Sequence, residues 1–268
     1  NIVESHFKDC PEWLDISDRD FPSVDNLPLE QGSLMMEIHT DVIRTCATLV
    51  HGFSPGINQT DPVHRRIERI LYSIALFSPE MGYAQGFDRF AFILYVFSLD
   101  FFTRHNLSID FAEAFAYTMT MRFLYLIRFH KFITSEEVLL EWISGYQQLL
   151  ERFHPEAAIY LSEIGVAPVQ YAFKWFALLF AGSHKAEDVF RIWDQCLLHA
   201  NDIHKYLFSL AVAHVSQIFN KTQKSAIQPD TLNQFNDWEM DSLIKDADTI
   251  YDGSKRPPSR SRCCSLFS

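Results

Sequence analysis

Two side chains in this sequence are suited to work on negative charge and on water: Arg44 and Gln85. A guanidinium is permanently charged and forked, so it can stabilise charge spread over several oxygens. A carboxamide donates and accepts hydrogen bonds without carrying charge, so it can hold a water in place. Arg44 stands in Ile38-His-Thr-Asp41-Val-Ile-Arg44-Thr45, and Gln85 in Ser78-Pro-Glu-Met-Gly-Tyr-Ala-Gln-Gly-Phe87. Each stretch also has a plain structural reading. Asp41 and Arg44 could be an ordinary i,i+3 surface pair. The two glycines around Gln85 could merely permit a corner between helices.

The elements that must position these residues are helices. Leu34, Ile38, Val42 and Ile43 give residues 33–51 a first helical pattern. Phe53 to Pro62 is a loop by its turn residues, which puts Arg44 near the end of a helix or just beyond it. Val63, Ile67, Ile70, Leu71, Ile74 and Phe77 recur at three- and four-residue spacings, with Arg65, Arg66, Glu68 and Arg69 on the other side. That pattern predicts an amphipathic helix. Asp61 can cap its start and Pro62 suits its first position. Ser78-Pro79 ends it, because proline disfavours helical geometry in the residue before it. Phe87 to Phe97 is apolar almost all round and reads as a buried helix. Gln85 therefore belongs to a loop or to the first turn of a core helix.

Taken together, I-x-x-D-x-x-R-T followed by Tyr83-Ala-Gln85-Gly86 resembles the two signature motifs of the TBC-domain family, GTPase-activating proteins for Rab GTPases. Phe173-Lys-Trp175-Phe176 with Val189-Phe-Arg-Ile-Trp193-Asp194 looks like a third family segment, and the resemblance covers residues 35–220. It implies an all-α, TBC-type multi-helix domain in two packed helical halves. It implies a GTP-bound Rab-family GTPase as partner, and a role in vesicle trafficking. It makes Arg44 the arginine finger and Gln85 the glutamine finger. Asp41 would hold the arginine or shield it until the partner docks, and Tyr83 and Gly86 would shape the loop. The resemblance implies no cofactor of the chain's own, since GTP and Mg²⁺ belong to the partner. A second reading is a catalytically weak scaffold that binds a Rab or another partner without stimulating it.

The sequence departs from the family in two places. The family usually continues Q-G with methionine and asparagine, where this chain has Phe87 and Asp88. Asp88 either faces the site, where its charge would repel a triphosphate, or caps the helix, where it is harmless. Residues 1–32 lack the opening helix with arginine and tryptophan, so the start of the domain is divergent or cut away.

Composition narrows the remaining options. The 268 residues are 48% hydrophobic with 24 phenylalanines, enough for a sizeable core. A formal charge of −11 argues against a nucleic-acid partner. No glycine-rich phosphate motif is present. Five cysteines without a C-x-x-C pair suggest neither a disulfide framework nor a zinc site, and a cytoplasmic setting. Asp15, Asp18 and Asp20 lack the glycine and closing glutamate of a calcium loop, so no metal is expected. No signal peptide is visible, and the chain opens on asparagine, which leaves room for a segment upstream. No stretch suits a membrane span; Phe111 to Ile133 carries Glu113, Arg122, Arg128 and His130, and reads as a core helix pair or one long helix.

The expected organisation is an irregular segment over 1–32, a TBC domain over 33–252 and a basic tail over 253–268. His199, His204 and His214 are spaced too irregularly for a metal site and read as ordinary histidines. Trp175 and Trp193 read as core anchors, and Asp194 as a cap or buried acceptor. In the tail, Cys263 and Cys264 lie among Arg256, Arg260 and Arg262. That basic setting suits anionic lipid, and acylation there is a route to peripheral association with endomembranes.

Overall fold

A computed structural model describes residues 29–53, 63–128, 131–132 and 135–254. Among these residues there are eleven α-helices, three short 3₁₀ turns and no strand. This is the all-α fold that the periodicities predict.

The chain divides into two compact units. The first takes the chain to Glu136, with Lys185–Val189; the second takes Glu137–His184 and the chain from Phe190 onward. In the first unit, α1 (Leu29–Phe53) packs on α2 (Val63–Phe77) and α3 (Phe87–Arg104), and α3 packs along α4 (Ile109–Leu126). Met35, Ile38 and Val42 bury one stripe of α1, and Ile67, Ile70, Leu71 and Ile74 bury the apolar face of α2. Helix α3 buries Phe87, Phe90, Phe92 and Tyr95 on several sides at once, as an apolar run must.

The polar side of α2 departs from expectation. Arg66, Glu68 and Arg69 are buried, not solvated. Glu113 of α4, itself buried, accepts from Arg66 Nη1 at 2.7 Å and from Arg69 Nε at 2.6 Å, and a second Arg69 nitrogen bonds its other oxygen. Glu68 meets Nδ1 of His39 on α1 at 2.6 Å. These polar contacts tie α2 to both neighbours. Helix α4 stops at Leu126, with a turn at Ile127 and Arg128, so Phe111–Ile133 is not one long helix.

The second unit contains α5 (Glu136–Phe153) from Glu137 on, α6 (Pro155–Glu163), α7 (Ala172–Ala177), α8 (Ala186–Leu198) from Phe190 on, α9 (Ile203–Lys221), α10 (Pro229–Gln234) and α11 (Met240–Ser254). Pro155 breaks the α5 pattern as predicted and starts α6. Helix α9 is its centre, buried along most of its length and packed on α11, α7 and α6. The expectations for Asp61, Pro62, the Asp15–Asp20 cluster and the tail from 255 on lie outside the described residues.

Candidate functional site

Arg44 sits within α1 and not at its end, because the helix runs on to Phe53. The first breaking signals after it are Gly52 and Pro55, too far along to end the helix at Arg44. Its side chain is 58% exposed, and Nη2 lies 3.0 Å from Oδ1 of Asp41, one turn back. Asp41 is buried, so this is not the bland surface pair. Its second oxygen, Oδ2, accepts the Tyr83 hydroxyl at 2.9 Å.

Gln85 is exposed in the turn immediately before α3. That turn is built by the preceding sequence. Ser78 ends α2, and its carbonyl accepts the amides of Met81 and Gly82 at 2.9 and 3.0 Å. Met81 is buried beneath, and Tyr83 meets Phe87 edge to face at 6.0 Å. Gly86 has φ of 107°, a backbone state that side chains disfavour, so glycine there is a conformational requirement. Phe87 amide then bonds the Ala84 carbonyl at 3.1 Å and α3 begins.

Asp88 resolves in favour of the cap. It is buried in the first turn of α3, Oδ1 accepts the Gly86 amide at 2.9 Å, and Oδ2 accepts the Thr45 hydroxyl. Helix α1 and the glutamine turn are therefore joined twice, by Asp41–Tyr83 and by Thr45–Asp88. The four anchoring residues flank Arg44 on one element and Gln85 on the other. Sequence reading missed Thr45; its place directly after Arg44, one turn from Asp41, is the signal that could have found it.

Two groups beside these carboxylates are held in their neutral forms. Burial, together with the Asp88 and Asp41 carboxylates, pushes the Tyr83 phenol far above its usual range, so it remains a donor. The Cys46 thiol is pushed up to about 12 by burial and by Glu68 and Asp88, which leaves it no nucleophile. What the site presents to solvent is a guanidinium and a carboxamide.

The Rab-GTPase-TBC domain family model matches residues 17–223. The chain belongs to that family. This TBC domain is 28% identical over 157 residues to the TBC domain-containing protein kinase-like proteins of Gallus gallus, Mus musculus and Homo sapiens, a stretch covering 58% of this chain. The match spans only 16% of those relatives' length. The TBC domain also superposes on the crystal structure of the Ypt/Rab-GAP domain of Gyp1p with a TM-score of 0.72, over 94% of this chain and 81% of that one. At 17% identity, that likeness speaks for the fold.

The remaining candidates of the TBC domain are structural. Trp175 and Trp193 are buried, and Trp193 Nε1 donates to the Leu179 carbonyl at 3.0 Å. His199 stacks on Tyr206, His204 leans on Trp142, and His214 is sealed in the core of the second unit. Asp194 is exposed in the middle of α8, so it is neither cap nor buried acceptor. Among the described residues no helix is long and apolar enough to cross a membrane.

Proposed function

We propose that this TBC domain activates GTP hydrolysis by a Rab-family GTPase, with Arg44 as arginine finger and Gln85 as glutamine finger. The observation that carries the reading is the double join between their elements. It holds an exposed guanidinium and an exposed carboxamide on neighbouring rigid supports.

GTP hydrolysis builds negative charge on the γ-phosphate and leaving-group oxygens while water attacks in line. Arg44, swinging from Asp41 onto those oxygens, would stabilise the charge. An arginine finger is worth about 10³ to 10⁵ in rate, or about 4–7 kcal/mol of barrier. Gln85 would accept a hydrogen bond from the attacking water and donate to a phosphate oxygen, fixing the line of attack. Asp41 would restrain Arg44 in the free state. Gly86 would let backbone come close to the nucleotide. The nucleotide and its Mg²⁺ arrive with the GTP-bound partner. Acting on a Rab would place the protein in vesicle trafficking, on the cytoplasmic side of endomembranes.

The test is single-turnover phosphate release from GTP-loaded Rab proteins, with the parent beside Arg44→Ala and Gln85→Ala. Stimulation lost in both variants supports the reading. Full stimulation by Arg44→Ala, or none by the parent against any Rab, replaces it with the binding scaffold.

A further inference from the structure

We infer that Asp88 and Thr45 form an internal clamp that sets Gln85 in register with Arg44; the inference rests on the finger reading above. Asp88 and Thr45 are each only 4% exposed, so neither can touch a docked protein or nucleotide. They act through other residues, as positioning groups.

The two oxygens of one carboxylate do different jobs. Oδ1 accepts the Gly86 amide at 2.9 Å. That nitrogen belongs to the peptide bond whose carbonyl is Gln85's, so the bond fixes the peptide plane that leaves Gln85. Oδ2 accepts the hydroxyl of Thr45, the residue bonded directly to Arg44. A single rigid group therefore grips the backbone neighbour of each finger. Gly86, with φ of 107°, cannot hold the turn through a side chain of its own, so the grip must come from outside. The first turn of a helix is a favourable place for this carboxylate, because the free amides there carry partial positive charge.

Asp41–Tyr83 cannot replace this clamp. It joins the helix to the turn two residues before Gln85 and makes no bond to the Gln85–Gly86 peptide. Small displacements matter here, since a shift of about 1 Å in a reacting geometry can cost on the order of 100-fold in rate.

The substitutions separate shape from bonding. Thr45→Val keeps the side-chain outline but removes the donor, and Thr45→Ser keeps the donor. Asp88→Asn can still accept from Gly86 and turn its amide to the Thr45 oxygen, whereas Asp88→Ala can do neither. Each variant is measured in three ways: single-turnover hydrolysis on a Rab that the parent stimulates, affinity for the same Rab loaded with a non-hydrolysable GTP analogue, and hydrogen exchange at the Gly86 amide. The hydrolysis assay is repeated in the Gln85→Ala background.

Thr45→Val and Asp88→Ala should slow hydrolysis about 10- to 100-fold while affinity changes less than about threefold. Thr45→Ser and Asp88→Asn should recover most of the rate. With Gln85→Ala present, Thr45→Val should add less than about threefold, because the clamp acts through Gln85. Gly86 exchange should quicken about tenfold in Thr45→Val and Asp88→Ala. If Gln85→Ala is slow but Thr45→Val matches the parent, the fingers stand and the clamp is overturned. An equal extra loss in the Gln85→Ala background overturns it too. If the parent stimulates no Rab, the finger reading falls; unchanged Gly86 exchange then removes the clamp as well, and quickened exchange keeps it as the device that orders the turn.

Discussion

The Tyr83 hydroxyl donates to Asp41 over 2.9 Å, while the other oxygen of Asp41 holds Arg44 at 3.0 Å. One buried carboxylate thus serves the turn that carries Gln85 and the guanidinium beside it. Tyr83→Phe should leave the Arg44 contact intact and cost about 1 kcal/mol of stability, the net worth of one hydrogen bond. Asp41→Ala should do more, removing the Arg44 ion pair and the acceptor of the Tyr83 hydroxyl together. Urea denaturation with both variants checks the order. Equal midpoints for Tyr83→Phe and the parent would show that the bond contributes nothing to the fold.

Variants of the two proposed fingers should fail in a characteristic way. Arg44→Ala should lower stimulated hydrolysis by about two to four orders of magnitude, or about 3–5 kcal/mol of barrier. Arg44→Lys should rescue little, because an ammonium lacks the fork. Gln85→Ala should cost about as much, and the double variant little more, since groups acting as a unit are not additive. Both side chains are exposed, so thermal stability should hardly move. Phosphate release and a binding titration on the same proteins separate chemistry from docking.

The pairing of Glu113 with Arg66 and Arg69 makes a stability prediction unrelated to function. Glu113→Ala would leave two buried guanidinium groups without their shared carboxylate. Removing one partner of such a pair costs about 3–5 kcal/mol. The guanidinium chloride midpoint should fall accordingly, and a loss within the error of the measurement would contradict the pairing.

Acid should weaken the second unit through His184 and His214. His214 Nδ1 lies 2.6 Å from the Leu210 carbonyl, so it carries the proton there and its Nε2 accepts from His184 Nε2 at 2.7 Å. Burial lowers His184 to about 4, and burial together with its neighbour lowers His214 well below 6.5. Both imidazoles are therefore neutral in the folded state at pH 7. The unfolded chain binds these protons first, so stability is full above about 6.5 and is lost as pH falls from there towards 4. For His184 the loss is about 3 kcal/mol. His184→Gln keeps a donor near the Nε2 position but cannot titrate, and should flatten that part of the curve. Denaturation midpoints between pH 7 and 4.5 test this; parallel curves for parent and variant would refute it.

Much of the first unit was legible because its signals are local. The stripe of α2, its stop at Ser78-Pro79 and the place of Gln85 before a buried helix all follow from neighbouring residues. Two of the failures share one cause, which is distance along the chain. Arg66 and Arg69 read as solvated because Glu113, their partner, lies 47 and 44 residues away. Asp88 stayed ambiguous because Thr45, which decides it, is 43 residues earlier. The sequence points to a helix end near Arg44 because turn residues after Phe53 dominate that stretch, yet nothing between Arg44 and Gly52 breaks a helix. Asp194 was given a role because it follows a buried tryptophan, although the helical turn carries it to the opposite side, into solvent.

The place of Arg44 inside α1 bears on the thermodynamics of the docking proposed above. A finger on an unstructured loop must order its backbone when it meets its target, at about 1–2 kcal/mol of conformational entropy per residue. Here the backbone is already fixed by helical bonds, and Asp41 narrows the rotamers that the guanidinium explores. Only the outer torsions of one side chain remain to be frozen, on the order of 0.5–1.5 kcal/mol. A stiff arm with a loose hand should meet its partner with a small entropic penalty, leaving more of the contact energy to be expressed when the phosphate charge develops.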